Sequence, residues 1–210
     1  MKIALISDTH RLHDKITMPE ADMVIHGGDI SGMGREMEVI SFLDWFSKLP
    51  HKYKIFISGN HDWLFEKDPM FASALVKSYP NIIYLEDSGT EIEGIKIWGS
   101  PVQPTFYNWA FNRERGAEIK KHWDAIPEGT DILITHGPPH GILDITKMTE
   151  EHTGCEELLK RVIEVRPTWH IFGHIHSASG IYETEHTTFI NASVLDDYYK
   201  VKYEPRIITI

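Results

Sequence analysis

Seven side chains of metal-binding type stand directly behind short apolar runs in this sequence. "KIALIS" leads into Asp8-Thr9-His10, "DMVIH" into Gly27-Gly28-Asp29, and "YKIFIS" into Gly59-Asn60-His61-Asp62. "DILIT" leads into His136-Gly137-Pro138-Pro139, and "WHIFG" into His174-Ile175-His176. In extended backbone, residues i and i+2 share a side, which would pair Asp8 with His10 and His174 with His176. The competing reading is polar residues that happen to end strands. Taken as ligands, Asp8, His10, Asp29, Asn60, His136, His174 and His176 exceed what one ion needs. Two ions accommodate them if Asp29 bridges through its two oxygens, an arrangement suited to in-line attack on phosphorus. Nitrogen and oxygen donors without thiolate favour Mn²⁺, with Fe, Zn, Ni and Co as alternatives, over a structural zinc site. Two divalent ions with Asp8 and Asp29 leave a centre of about +2, suited to anionic oxyesters and only weakly selective for diesters over monoesters.

His61, beside Asn60, is read as a group that touches a phosphate oxygen or protonates the departing alkoxide. Asp62 either orients that ring and favours its protonated form or serves as a simple turn or N-cap residue. "PTFYNWAFNRERG" concentrates Phe106, Tyr107, Trp109 and Phe111, as a wall on which a substrate ring could stack or as local packing. Phe106, Tyr107 and His13 are taken as substrate-side candidates. His26 reads as a packed strand-end residue and His140 as loop surface. His51, His122, His152, His170 and His186 read as ordinary surface or packing positions. Trp45, Trp63, Trp98, Trp123 and Trp169 are ascribed to burial.

The apolar runs are short, rich in Ile and Val and bounded by Gly or Pro, so they read as buried strands. Amphipathic stretches at 34–48, 68–78, 112–125 and 153–165 read as helices between them. Alternating strands and helices imply a largely parallel sheet with sites just beyond the strands' carboxyl ends. Five polar clusters could thus converge. "GTEIEGIKIWGS" and "SGIYETEHTTFINAS" read as hairpins and "PRIITI" as a terminal strand, suggesting a second sheet packed face to face on the first. Helices outside both sheets complete an α/β, four-layer αββα sandwich spanning residues 1–210 as one domain.

Composition narrows the partners. The 210 residues carry 41% hydrophobic and 25% charged side chains, with 21 basic against 31 acidic residues and a net charge of −10. That argues against a long nucleic acid as partner, which requires basic stripes, and leaves a small phosphoester or nucleotide substrate open. Cys155 is the only cysteine, so an intrachain disulfide is impossible. No run reaches membrane-span or signal-peptide length, so a soluble cytoplasmic protein without membrane contact is expected.

Asp-x-His, Gly-Asp, Gly-Asn-His-Asp, His before Gly-Pro-Pro, and Gly-His-x-His occur in that order from residue 8 to 176. In this the sequence resembles the calcineurin-like metallophosphoesterase superfamily. "SDTHRLHD", "WAFNRERG", "IPEGTDILITHGPPHGILD" and "TTFINAS" extend the likeness to its metallophosphoesterase-domain-containing branch, which is similar to broad-tolerance phosphodiesterases that accept cyclic nucleotides. The resemblance implies the αββα sandwich and a metal-bridging hydroxide as nucleophile. It puts Asp8, His10, Asp29 and His176 on one metal, with Asp29, Asn60, His136 and His174 on the other, and His61 at the scissile phosphate. Some members carry glycine where this chain has His174, so its histidine implies full occupancy by two metals. A homodimer is a further expectation from the likeness. The alternatives are a phosphomonoesterase or protein phosphatase of the same fold, or a non-catalytic metal-binding scaffold.

Overall fold

The computed structural model describes residues 1–147 and 149–210. Its strands are β1 (Lys2–Ile6), β2 (Met23–His26), β3 (Tyr53–Phe56), β4 (Ile83–Tyr84), β5 (Ser88–Ile92), β6 (Ile95–Ser100), β7 (Gln103–Pro104), β8 (Asn112–Arg113), β9 (Ile132–Thr135), β10 (Trp169–Phe172), β11 (Gly180–Glu183), β12 (Thr188–Asn191) and β13 (Arg206–Thr209). The helices are α1 (Glu36–Lys48), α2 (Trp63–Lys67), α3 (Pro69–Lys77), α4 (Ala117–Asp124) and α5 (Glu156–Val165). One sheet runs β13-β1-β2-β3-β4, the other β11-β12-β10-β9-β6-β5, and β7 pairs with β8.

Period-two alternation sorts each strand's residues into layers. Ile3 and Leu5 of β1, Ile25 of β2 and Ile55 of β3 meet Ile132 and Ile134 of β9, Ile171 of β10 and Ile190 of β12 in a core between the sheets. Their neighbours Ala4, Val24 and Phe56 face outward onto Val39, Phe42 and Phe46 of α1, Phe65 of α2 and Val76 of α3. On the far side, Leu133, Phe172 and Phe189 meet Ile119 and Trp123 of α4 and Leu158 and Val162 of α5. The result is the αββα order. Both faces of the central strands are buried, and each large aliphatic side chain so placed contributes about 1.5–3 kcal/mol.

The two hairpins form as expected, β5 with β6 and β11 with β12, both antiparallel. The division of strands does not. The five motif strands split, with β1, β2 and β3 in one sheet and β9 and β10 in the other, where the hairpins extend them. The terminal strand β13 joins the first sheet, antiparallel to β1. Period-two burial is the same whichever sheet a strand enters, so the pattern carries no sheet assignment. The stretch 112–125 yields helix only from Ala117, because Asn112 and Arg113 pair with β7 and Gly116 enters α4 at φ 81°. The short helix α2 directly after Asp62 was not anticipated.

Candidate metal centre

Each motif strand stops just before its polar cluster, and the chain then turns sharply. Asp8, His10, Asp29 and His174 all adopt left-handed backbone, with φ of 57°, 39°, 56° and 67°. Such conformations cost about 1–3 kcal/mol each and persist where surrounding contacts over-determine them. Here the contacts are cross-loop hydrogen bonds: Asp8 N–H donates to Gly28 O and His10 N–H to Asp29 O, both at 3.0 Å. The i, i+2 same-side expectation therefore fails at both pairs as a matter of backbone, since neither is extended. It fails for His174 and His176 in outcome as well, because the left-handed turn sends the two rings to different clusters.

Asp8, His10 and His176 form one cluster and Asp29, His136 and His174 another, while His10, Asp29 and His61 form a third grouping at their junction. His10 Nε2 lies 3.3 Å from His176 Nε2, and His176 Nε2 lies 3.7 Å from Asp8 Oδ1. Asn60 Oδ1 sits 2.9 Å from His136 Nε2, adding a neutral oxygen to the second cluster. Asp29 Oδ2 is 3.5 Å from His10 Nε2 and 3.4 Å from His136 Nε2, so a single oxygen stands between the clusters. Its other oxygen, Oδ1, accepts the His61 backbone N–H at 2.8 Å. With Oδ1 engaged by that backbone N–H, Oδ2 is the oxygen that faces both clusters. Each cluster draws on both sheets, so the centre lies on the seam of the sandwich.

The donor set fits divalent ions. Two ligands about 2.1 Å from one ion stand roughly 3.0–3.4 Å apart, close to the spacings observed. Three rings have their tautomer fixed from behind: His10 Nδ1 pairs with Ser31 O (3.2 Å), His136 Nδ1 with Gly27 O (3.0 Å) and His176 Nδ1 with Asp196 O (3.1 Å). A carbonyl can only accept, so each Nδ1 carries a proton and each Nε2 is the atom turned to the centre, the usual support for metal-ligating histidine. Burial pushes His10 down to about 4 and His174 down to about 3, keeping both neutral. For His136 and His176 burial acts the same way, but the Asp29 and Asp8 carboxylates outweigh it and hold both rings up to about 9. Burial opposes ionisation of the two carboxylates too. The facing imidazoles, His176 for Asp8 and His136 for Asp29, overcome it and hold both below the ordinary range. Without metal, protons on these histidines take the place of cations.

Two glycines are required by close approach. Gly28 has φ 101°, and a Cβ there would lie 2.6 Å from both His136 Nδ1 and Ser58 O. At Gly173 a Cβ would overlap Asp8 Oδ2 and the Ser7 hydroxyl.

His61 stands at the edge of the centre. Its Nδ1 donates to Gly32 O at 2.7 Å, and its ring stacks on Trp109 with centroids 4.1 Å apart. Asp62 does not touch that ring. Fully buried, it accepts from the Gly59, Ile30 and Ser31 backbone N–H groups and the Ser31 hydroxyl. Its side chain thus ties the Asp29 loop to the Asn60 loop, and the orienting role expected of it belongs to Gly32 and Trp109. Although it occupies the N-cap position of α2, its side chain makes no capping bond there.

A cleft of about 500 Å³ opens over the centre. Phe106 lines it, but Tyr107, 82% exposed, only packs edge-on against Phe106. His13 does not reach it either: it is buried beside Phe42 and Trp45 and pairs with Ser41 of α1. Arg113 is engaged with Glu66, and Arg115 braces the carbonyls of Thr153 and Gly154. Two contributors were missed in the sequence. Tyr199 sits over His10 with ring centroids 4.8 Å apart and lines the cleft, in a segment with no readable pattern. Ser193 donates its hydroxyl to Asp8 Oδ2; it ends "TTFINAS", whose small polar residue behind an apolar run was the available signal.

The chain belongs to the calcineurin-like phosphoesterase family, whose model matches residues 1–178. It is 40% identical over its whole length to human metallophosphoesterase domain-containing protein 1, covering 71% of that protein. It is 34% identical to UPF0046 protein K07C11.7 of Caenorhabditis elegans, again over its whole length and 75% of the relative. Among solved structures it is similar in fold to phosphopantetheinyl hydrolase (PptH) from Mycobacterium tuberculosis, with a TM-score of 0.66 at 14% identity, covering 99% of this chain and 95% of that one. Among the described residues, no helix is long and apolar enough to cross a membrane.

Proposed function

We infer that this chain is a two-metal phosphodiesterase acting on small phosphodiesters, nucleotides among them. The observation that carries the reading is Asp29 Oδ2, set between two imidazole–carboxylate clusters at the floor of an aromatic-walled cleft. Asp8, His10, Asp29 and His176 would hold one ion, and Asp29, Asn60, His136 and His174 the other, with Mn²⁺ foremost. When bound, the ions supply an activated water and charge neutralisation at the phosphoryl oxygens.

The protein's own groups do the rest. His61, with Nδ1–H committed to Gly32 O, presents Nε2 to the cleft, where it carries the proton delivered to the leaving oxygen. Trp109 fixes the plane of that ring. Phe106 and Tyr199 give apolar surface on either side of the centre, and a cleft of about 500 Å³ has room for two ester arms. That room favours a diester over a monoester, where the charge of the centre discriminates little.

The test is turnover of bis(p-nitrophenyl) phosphate by the Mn²⁺-loaded protein, beside p-nitrophenyl phosphate. Faster hydrolysis of the diester, abolished in Asp29→Ala, is expected. Faster hydrolysis of the monoester would move the reading to a phosphomonoesterase, and no turnover with any divalent metal would move it to a metal-binding scaffold.

A further inference from the structure

The cleft does not end at the metal centre. The stretch 141–154 also lines the cleft in part, and there a buried carboxylate holds a histidine that the hydrolytic centre does not use. Asp144 is fully buried. Its Oδ2 accepts from the Gly141 and Gly154 backbone N–H groups at 2.8 and 3.1 Å, and its Oδ1 accepts His152 Nδ1–H at 2.6 Å. The backbone holds Oδ2 and so fixes the carboxylate, which through Oδ1 fixes the His152 ring in turn, with Nε2 left for the cleft that His152 lines. Arg115 secures the same stretch by donating to the carbonyls of Thr153 and Gly154, both at 2.8 Å.

Lys147 lines the cleft beside it. Its only ion-pair partner among the described residues is Asp197, at 3.9 Å, and the two side chains are 63% and 40% exposed. Exposed pairs at that spacing contribute little, so an incoming anion can replace Asp197. Phe106, Pro104 and Pro138 add apolar surface to the same cleft, which thus brings together the metal cluster, an apolar wall and the His152–Lys147 pair, with Glu151 and Asp197 also on its lining. A neutral acceptor would serve the two backbone N–H groups of this turn, whereas the carboxylate also orients the His152 imidazole at the cleft.

We propose that His152, held by Asp144, and Lys147 form a distal site for a second anionic group, a phosphate, on one ester arm of the substrate. This rests on the phosphodiesterase reading and narrows it to diesters whose nucleoside or comparable apolar arm carries a further phosphate. His152 and Lys147 bind that group, and Asp144 is a positioning residue.

The experiment compares thymidine 5′-(p-nitrophenyl phosphate) with the same ester bearing a 3′-phosphate, using the Mn²⁺-loaded protein. The wild type is expected to prefer the 3′-phosphorylated ester by about tenfold in kcat/KM, through KM, as one or two charge-assisted hydrogen bonds supply. His152→Ala and Lys147→Met are expected to bring that ratio towards one. Asp144→Asn is expected to lower it as well while the bound Mn²⁺ stoichiometry is retained, which general damage to the fold would not do. A wild-type ratio near one, or a ratio unmoved in all three variants, overturns the proposal. If the wild type turns over neither ester, the phosphodiesterase reading fails by itself. The distal site is then judged by calorimetry with thymidine 3′,5′-bisphosphate against thymidine 5′-phosphate. Tighter binding of the bisphosphate, lost in His152→Ala, sustains the site; equal binding removes it.

Discussion

At the scale of single residues, proton placement alone does not separate ligands from assistants. His10, His136 and His176 each commit Nδ1 to a backbone carbonyl and turn Nε2 to the centre. His61 shares that arrangement through Gly32 O, stacks on Trp109 and lies close to His10 and Asp29. Removing it tests the difference. His61→Ala is expected to keep both Mn²⁺ ions by elemental analysis while kcat on the aryl diester falls about 10²–10⁴-fold, the range for losing a general acid. Loss of an ion in that variant would instead make His61 a ligand. The candidate ligand residues that the structure brings together were readable from the motifs, because a strand end followed by Asp, Asn or His is visible in sequence. What the sequence did not disclose was direction. His13 looked like a cleft residue but packs on Trp45, Asp62 looked like a partner of His61 but serves four other donors, and Tyr199 gave no signal. These outcomes depend on which loop lies opposite, and that information is tertiary.

At the scale of elements, the site depends on turns tight enough to bring loops from different strands within hydrogen-bonding distance. Gly28 carries this most directly, with φ 101° and no room for a Cβ beside His136 and Ser58. Gly28→Ala is expected to cost more than the ~1 kcal/mol that a left-handed position alone imposes, because His136 must also move. The measurements are a lowered Tm and a weakened second ion in a Mn²⁺ titration, while an unchanged titration would show that the loop relaxes freely. The strands themselves were legible through their apolar runs, and the hairpins through their alternation. The split of the motif strands between two sheets was not, since β9 and β10 alternate just as β1 to β3 do. Helix starts drifted where a tertiary pairing intervened, as it does at Asn112 and Arg113 before α4.

For the whole molecule, the centre sets a pH dependence. In the metal-free protein His136 and His176 have folded values near 9, above the ordinary 6.5. Their contribution to stability is therefore complete below about pH 6.5 and is lost as pH rises through about 9. Asp8 and Asp29 are depressed, so their contribution is present above the ordinary carboxylate value and lost as pH falls through their folded values. Metal ligation needs both histidines neutral, so ion uptake must displace their protons. Release of about two protons per chain at pH 7 on saturation with Mn²⁺ is expected, measured by calorimetry in buffers of different ionisation enthalpy. The rise in Tm on adding Mn²⁺ is expected to grow between pH 6.5 and 9. Release near zero would mean that the carboxylates do not hold these protons.

The seam position of the centre has a kinetic consequence. Asp8, His10, Asp29 and Asn60 follow strands of one sheet, and His136, His174 and His176 follow strands of the other. An ion in either cluster would add a cross-link between halves of the sandwich, beside the isoleucine layer and hydrogen bonds such as that of His136 Nδ1 to Gly27 O. Peeling the sheets apart then requires breaking coordinate bonds before the isoleucine layer can admit water. The loaded protein gains lifetime as well as depth of its energy well, and a chelator acts on the rate of opening. Amide exchange in the inner strands β1 and β10 would report that change as a common slowing on both sides of the seam.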